Sequence, residues 1–329
     1  MKYVKKVLPV FVTAAMLAVV LLILSNLVAP KNNTQEAGHD AWAAYGYEAE
    51  PEGTIDVFIL GDSESRTSIS PMEMFHQVGI TSYCCGVNSE NLSELKQMLR
   101  RILTTQKPKL VIVECNVLFT EFTWKDVLLD EVSSVFPVID WHDRWKHLKK
   151  EDFFSVPHYT SREVRKGYYH ARVSDPAPVF LKDRYMAADD SEYDLPWINE
   201  AVLGQVASIC RRRGIHLLLL STPSVKNWTM AKHNTCVRLA EELSGKDESE
   251  GKAGVAFVDM NLMTDEIPID WDKDTRDKGD HLNNDGMKKV CDWLSPWLKE
   301  HYSLEDHRED PACQETWTKE YDAYLKWIS

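Results

Sequence analysis

Five short runs of almost uniformly apolar residues, at 55–60, 80–84, 109–114, 215–221 and 255–259, recur along the chain with segments of helical periodicity between them. A strand that is apolar at every position, not only at alternate ones, has to be covered on both faces. Strand cores of that kind separated by helices build a mainly parallel sheet with helices on each side, so the expected class is α/β with three layers. Leu92, Leu95, Met98 and Leu99 form a helical stripe within 91–102, and 71–78, 198–213, 225–243 and 284–300 also read as helices, with Pro71 in a first turn. Residues 120–195 break the rhythm: they carry Trp124, Trp141, Trp145, Phe153, Phe154, Tyr168 and Tyr169 but no strand–helix unit, and are expected to form an insertion capping one edge of the sheet. The tail, 303–329, is predicted to end in a short amphipathic helix over 317–327 whose aromatic stripe packs on the domain.

The N-terminus speaks to compartment. Lys2, Lys5 and Lys6 precede an uncharged apolar run over 7–28, and about 20 residues suffice to cross a bilayer. The run exceeds the apolar core of a cleaved signal peptide and ends in Val28-Ala29-Pro30, with proline where cleavage would fall, so residues 1–30 are expected to be an uncleaved membrane anchor. Lysines before the span, and Glu36, Asp40, Glu48, Glu50 and Glu52 after it, place the N-terminus in the cytoplasm and the rest outside. Residues 31–54 are polar, lack a sustained apolar period and read as a stalk, with the folded domain spanning 55–302.

A formal net charge of -13 repels polyanions, so nucleic acid is not an expected partner. The seven cysteines include no C-x-x-C pair and no Cys/His cluster at zinc-ligand spacing, so neither a metal nor a cofactor is expected. The odd count and the adjacent Cys84-Cys85 pair read as buried free thiols.

In an open parallel sheet the ligand crevice lies at the carboxyl ends of the strands. The first loop there is Gly61-Asp62-Ser63-Glu64-Ser65, where glycine permits a sharp turn and Ser63 can present its hydroxyl. A serine nucleophile needs a base. Of the eleven histidines, His281 stands out, in a polar loop just before the last helix with Asp277 and Asp280 within four positions to orient an imidazole.

Together, Gly61-Asp62-Ser63 after the first strand and an acidic residue plus His281 before the last helix resemble the SGNH/GDSL hydrolase family in order and spacing, over about 55–302. The resemblance implies a flavodoxin-like three-layer fold, with Ser63 attacking an ester carbonyl and His281 relaying the proton. It also implies Gly86 and Asn116 as oxyanion-hole residues. The family's acid stands three residues before the histidine, where this chain has Lys278, so the acid is Asp277 or Asp280; one extra loop residue favours Asp277. The third block reads Glu114-Cys115-Asn116-Val117 where the family has Gly-x-Asn-Asp. An anchor, an outward domain and a large insertion, with the segments Ser68 to Glu73, Pro223 to Trp228 and Gly279 to Asn283, resemble the DltD-like and alginate O-acetylation-like branch, which works beside a membrane-bound O-acyltransferase. On that likeness Trp228 and Lys232 are candidates to line the crevice.

Three activities stay open on these residues. One is acyl transfer to or from a cell-envelope polymer through an acyl-Ser63 intermediate. The second is hydrolysis of a small ester or lipid, and the third a non-catalytic accessory domain for an acyltransferase.

Overall fold

The computed structural model describes residues 2–38, 41–244 and 254–328, with backbone alone for 2–6. Asp40 and the side chains of Lys2, Lys5 and Lys6, which carried the expected orientation, lie outside the described residues. The chain forms two compact units, Met1–Trp42 with Trp124–Ser161, and Ala43–Thr123 with Arg162–Ser329.

In the first unit, α1 (Lys2–Val28) is one continuous helix. Its segment Val7–Val28 has a mean hydropathy of 2.9 and is long and apolar enough to cross a membrane. Side chains such as Val10, Phe11 and Ile23 are exposed on it. The unit's polar centre is the buried Arg144, which donates to Asp152 Oδ1 at 2.8 Å and to the carbonyls of Ala37 at 2.7 Å and Val28 at 3.0 Å. A buried guanidinium is tolerated only when its donors are met in this way. Helix α5 (Trp124–Val135) belongs to this unit.

In the second unit, β1 (Val57–Leu60), β2 (Ser82–Cys84), β3 (Leu110–Glu114), β4 (His216–Ser221) and β5 (Val255–Asp259) form one parallel sheet in the order β2-β1-β3-β4-β5. The chain crosses to one side of β1 for β2 and to the other for β3, so the order reverses between β1 and β3, where the following loops diverge and leave a crevice. Strand residues from β1 to β4 are buried at almost every position. Each fully buried Val, Ile or Leu contributes about 1.5–3 kcal/mol.

Helices α2 (Ser63–Ser68), α3 (Pro71–Val78) and α9 (Asn284–His301) cover one face, where Val57, Ile59, Leu110, Ile112, Leu218 and Leu220 meet Met72, Phe75, Met287, Val290 and Leu294. The neighbouring strand residues point the opposite way, towards α4 (Leu92–Thr105), α7 (Trp197–Arg213) and α8 (Met230–Ser244). Asn91 and Glu94 cap α4 reciprocally, a device that contributes about 1 kcal/mol. A short helix, α6 (Val179–Lys182), precedes α7.

Residues 43–50, part of the segment read from sequence as a stalk, belong to this unit. Tyr47 is buried edge-on against Phe58 and Tyr83, and Glu50 lies 2.6 Å from the buried Lys166. Lys166 is also 2.6 Å from Glu320 in α11 (Lys319–Ile328), which follows α10 (Pro311–Cys313) and a π turn over Gln314–Thr318. Trp317 and Tyr324 of this tail are buried in the core formed with α3 and α9. All seven cysteines are buried with free thiols.

Candidate active site

Gly61 follows β1 with φ +148, and a β-carbon there would lie 2.9 Å from Glu114 Cβ, so a side chain is excluded at this turn. Asp62 caps the next helix by accepting from the Glu64 amide at 2.9 Å, which sets Ser63 as the first residue of α2. Opposite it, Asp277 and Lys278 have φ of +54 and +58 and Gly279 +84. This left-handed curl, costly for the two side-chain-bearing residues, closes the hairpin of β6 (Thr275–Arg276) and β7 (His281–Leu282).

The result is a hydrogen-bonded chain of three side chains. Ser63 Oγ lies 2.8 Å from His281 Nε2, and His281 Nδ1 lies 3.2 Å from Asp277 Oδ2. The imidazole is largely shielded, at 16% side-chain exposure, whereas Asp277 is 52% exposed. Asp280 takes no part in this chain: it accepts from Lys226 Nζ at 2.6 Å and Asn227 Nδ2 at 2.8 Å. Of the two candidate acids, then, Asp277 faces the histidine.

The other sequence candidates divide. At Gly86 a β-carbon would lie 2.3 Å from Ser65 Oγ and 2.8 Å from the Asp62 carbonyl, so the residue must be glycine for the β2 loop to approach the serine turn. Its amide is directed at the Cys84 thiol, which burial pushes up to about 11. Asn116 donates from Nδ2 to Asp62 Oδ2 at 2.7 Å and accepts from Lys232 Nζ at 3.2 Å. Both residues therefore pack against the turn that carries Ser63, with Asn116 holding Asp62. Lys232 also donates to the Asn227 carbonyl at 2.6 Å and lies 4.8 Å from the Phe119 ring. Trp228 does not line the crevice surface: it is 3% exposed, and its indole donates to Asp259 Oδ2 at 2.9 Å.

Sequence reasoning missed a buried acidic cluster behind the serine. Glu64 and Glu114 are each 1% exposed and lie with Asp62 around Lys232. Burial, and then the charge of Asp62, pushes the Glu64 carboxyl up to about 8. Glu114 is raised by burial and by the neighbouring Asp62 and Glu64, and burial lowers Lys232. Glu64 Oε1 accepts from Ser224 Oγ and Asn227 Nδ2, both at 2.8 Å, while Oε2 is buried without a partner. One side-chain amide, Asn227 Nδ2, thus bridges Glu64 and Asp280, the residues following Ser63 and preceding His281. A signal was present: an acidic residue ending an apolar strand, as Glu114 does, has to find partners when buried.

Among the described residues, His307, Asp310 and Cys313 are the group with the donors and proximity for a metal ion, their ligand atoms lying within 4.8 Å of one another. None belongs to the Ser63 cluster.

No protein-family profile matches the chain, and no curated protein matches it. Among solved structures it is similar to a chain from Bacteroides fragilis NCTC 9343 described as a "putative acylhydrolase", at 10% identity and a TM-score of 0.38, covering 79% of this chain and 95% of that one.

Proposed function

We propose that this protein is a serine esterase or O-acyltransferase of the SGNH/GDSL type, with Ser63 as nucleophile, His281 as base and Asp277 as the orienting acid. The observation that carries the reading is the continuous chain from Ser63 Oγ through His281 to Asp277 at the carboxyl ends of a parallel sheet. The strand order 2-1-3-4-5 is the flavodoxin-like one, and supports the three-layer fold that the resemblance implies.

In this mechanism Ser63 Oγ attacks an ester carbonyl while its proton passes to His281 Nε2. Asp277 holds the opposite nitrogen and stabilises the imidazolium. The oxyanion would be met by backbone amides at the start of α2, next to Gly86. Collapse expels the alcohol, which takes the proton from His281 and leaves an acyl-Ser63 ester. Water or an acceptor hydroxyl, deprotonated by His281, then removes the acyl group.

The apolar helix supports a membrane anchor; an outward-facing catalytic domain beside a membrane-bound O-acyltransferase, acting on an acylated cell-envelope polymer, is what the charges flanking the span and the family resemblance imply. A fluorophosphonate probe tests the assignment. It should label the wild type and leave Ser63→Ala unlabelled; equal labelling of both would refute the reading.

A further inference from the structure

Two arginines flank the serine–histidine pair: among the described residues Arg66 has no carboxylate partner, and Arg276 shares Asp277 with His281. Arg66 stands three residues after Ser63 on α2, within one helical turn. Arg276 is paired directly across the β6–β7 hairpin from His281, and residues opposite one another in an antiparallel pair share a face at about 5 Å between β-carbons. Both guanidiniums pack on the Tyr169 ring, Arg66 with its central carbon 4.6 Å from the centroid and Arg276 at 4.9 Å. The Tyr169 amide donates to the Arg66 carbonyl at 2.7 Å, which ties the aromatic residue to the nucleophile's helix.

Their donors are barely used. Among the described residues, the Arg66 guanidinium makes one side-chain hydrogen bond, a long one of 3.4 Å to Asn88 Oδ1. Arg276 approaches Asp277 Oδ2 at 3.4 Å, an oxygen that also serves His281, and its Nε is buried without a partner. Other arginines of this acidic chain are well met: Arg238 touches three glutamates at 2.7–3.1 Å, and Arg308 is bonded twice to Asp306. Burial, with repulsion from Arg165 and Arg276, lowers the Arg66 pKa. Half-buried cations held together on one ring, in a chain with carboxylates to spare, are costly unless something else brings the negative charge.

We propose that Arg66 and Arg276, fixed by Tyr169, form an anion-binding clamp that positions a substrate bearing a phosphate or carboxylate close to its reacting ester. A guanidinium presents a rigid fork of N–H donors that fits either oxyanion bidentately, and stacking on an aromatic ring fixes the plane of that fork. This rests on the Ser63 reading for the position of the ester, while anion binding itself does not.

The test is direct binding to the full-length chain in neutral detergent, with Ser63→Ala to prevent turnover. The probes are 4-acetoxyphenyl phosphate, 4-acetoxybenzoate and the uncharged 4-acetoxybenzamide. At least one anionic probe should bind about ten-fold or more tighter than the amide, and Arg66→Gln and Arg276→Gln should each erase most of that preference. Arg66→Lys, which keeps the charge but loses the fork, should retain part of it. The tighter of the two anionic probes identifies the oxyanion. Equal binding of charged and uncharged probes to the parent protein would overturn the clamp whatever the variants do, as would a preference that survives both glutamine substitutions. Fluorophosphonate labelling of the otherwise wild-type chain reports separately on Ser63, so loss of one conclusion is distinguishable from loss of the other.

Discussion

Asp277 lies four residues before His281 in the chain, yet its carboxylate folds back to within 3.2 Å of the imidazole Nδ1. The reach depends on the positive φ of Asp277, Lys278 and Gly279, which turns the chain through a tight curl and not an extended approach. Asp280, the nearer residue in sequence, points to Lys226 and Asn227.

The two aspartates should therefore separate in kinetics. Asp277→Asn should lower kcat by about 10² or more, below the largest losses known for buried triad acids because this carboxylate is half exposed. Asp280→Asn should cost about ten-fold or less. Steady-state turnover of a small acetyl ester measures both, and the reverse ranking would reassign the acid.

Asn227 joins the residue following Ser63 to the residue preceding His281 through one amide. Asn227→Ala should lower kcat by about ten-fold with KM changed much less, since what is lost is alignment of the pair. A change confined to KM would make Asn227 a substrate contact.

Glu64 predicts a pH dependence of stability. Its folded-state pKa, about 8, lies above the ordinary carboxylate value of 4.5 because of burial and the charge of Asp62. The folded protein therefore holds a proton that the unfolded chain has released between those values, so this contribution is present below about pH 4.5 and is lost as pH rises through 8. Glu64→Gln removes the linkage. The Tm of the wild type should fall relative to the variant between pH 5 and pH 8.5 in a thermal melt; parallel curves would show that Glu64 ionises normally.

Gly86→Ala would thrust a methyl group to 2.3 Å from Ser65 Oγ and 2.8 Å from the Asp62 carbonyl. Overpacking of this kind costs about 1–3 kcal/mol. Because the displaced backbone carries the serine turn, turnover should fall together with Tm. A stable, fully active alanine variant would mean that the β2 loop stands farther from Ser63.

Much of the layout was legible because its causes are local. Strands buried on both faces appear as unbroken apolar runs, and the helix expected at 71–78 forms over those residues, with Pro71 in its first turn. Where burial comes from single residues, pattern fails. Tyr47 is the large side chain that enters the core from a polar stretch, and Lys166 is buried because Glu50 and Glu320 meet it from distant points of the chain. Helix α8 begins at Met230 and not Val225, since the preceding segment turns to deliver Asn227 to the two carboxylates. At the site, the residue types of Ser63 and His281 suggested their pairing. The acidic cluster of Glu64 and Glu114, and the arginines around Tyr169, arise from strand order and hairpin register, which no local spacing encodes.

The central claim is that Ser63 carries the acyl group. The most direct measurement is peptide mass spectrometry of the protein quenched in acid during turnover of an activated acetyl ester. The account predicts one acetyl group on the peptide containing Ser63, absent from Ser63→Ala and accumulating more slowly in a His281→Ala variant. Turnover with no acylated Ser63 peptide, or acetylation that persists in Ser63→Ala, would contradict it.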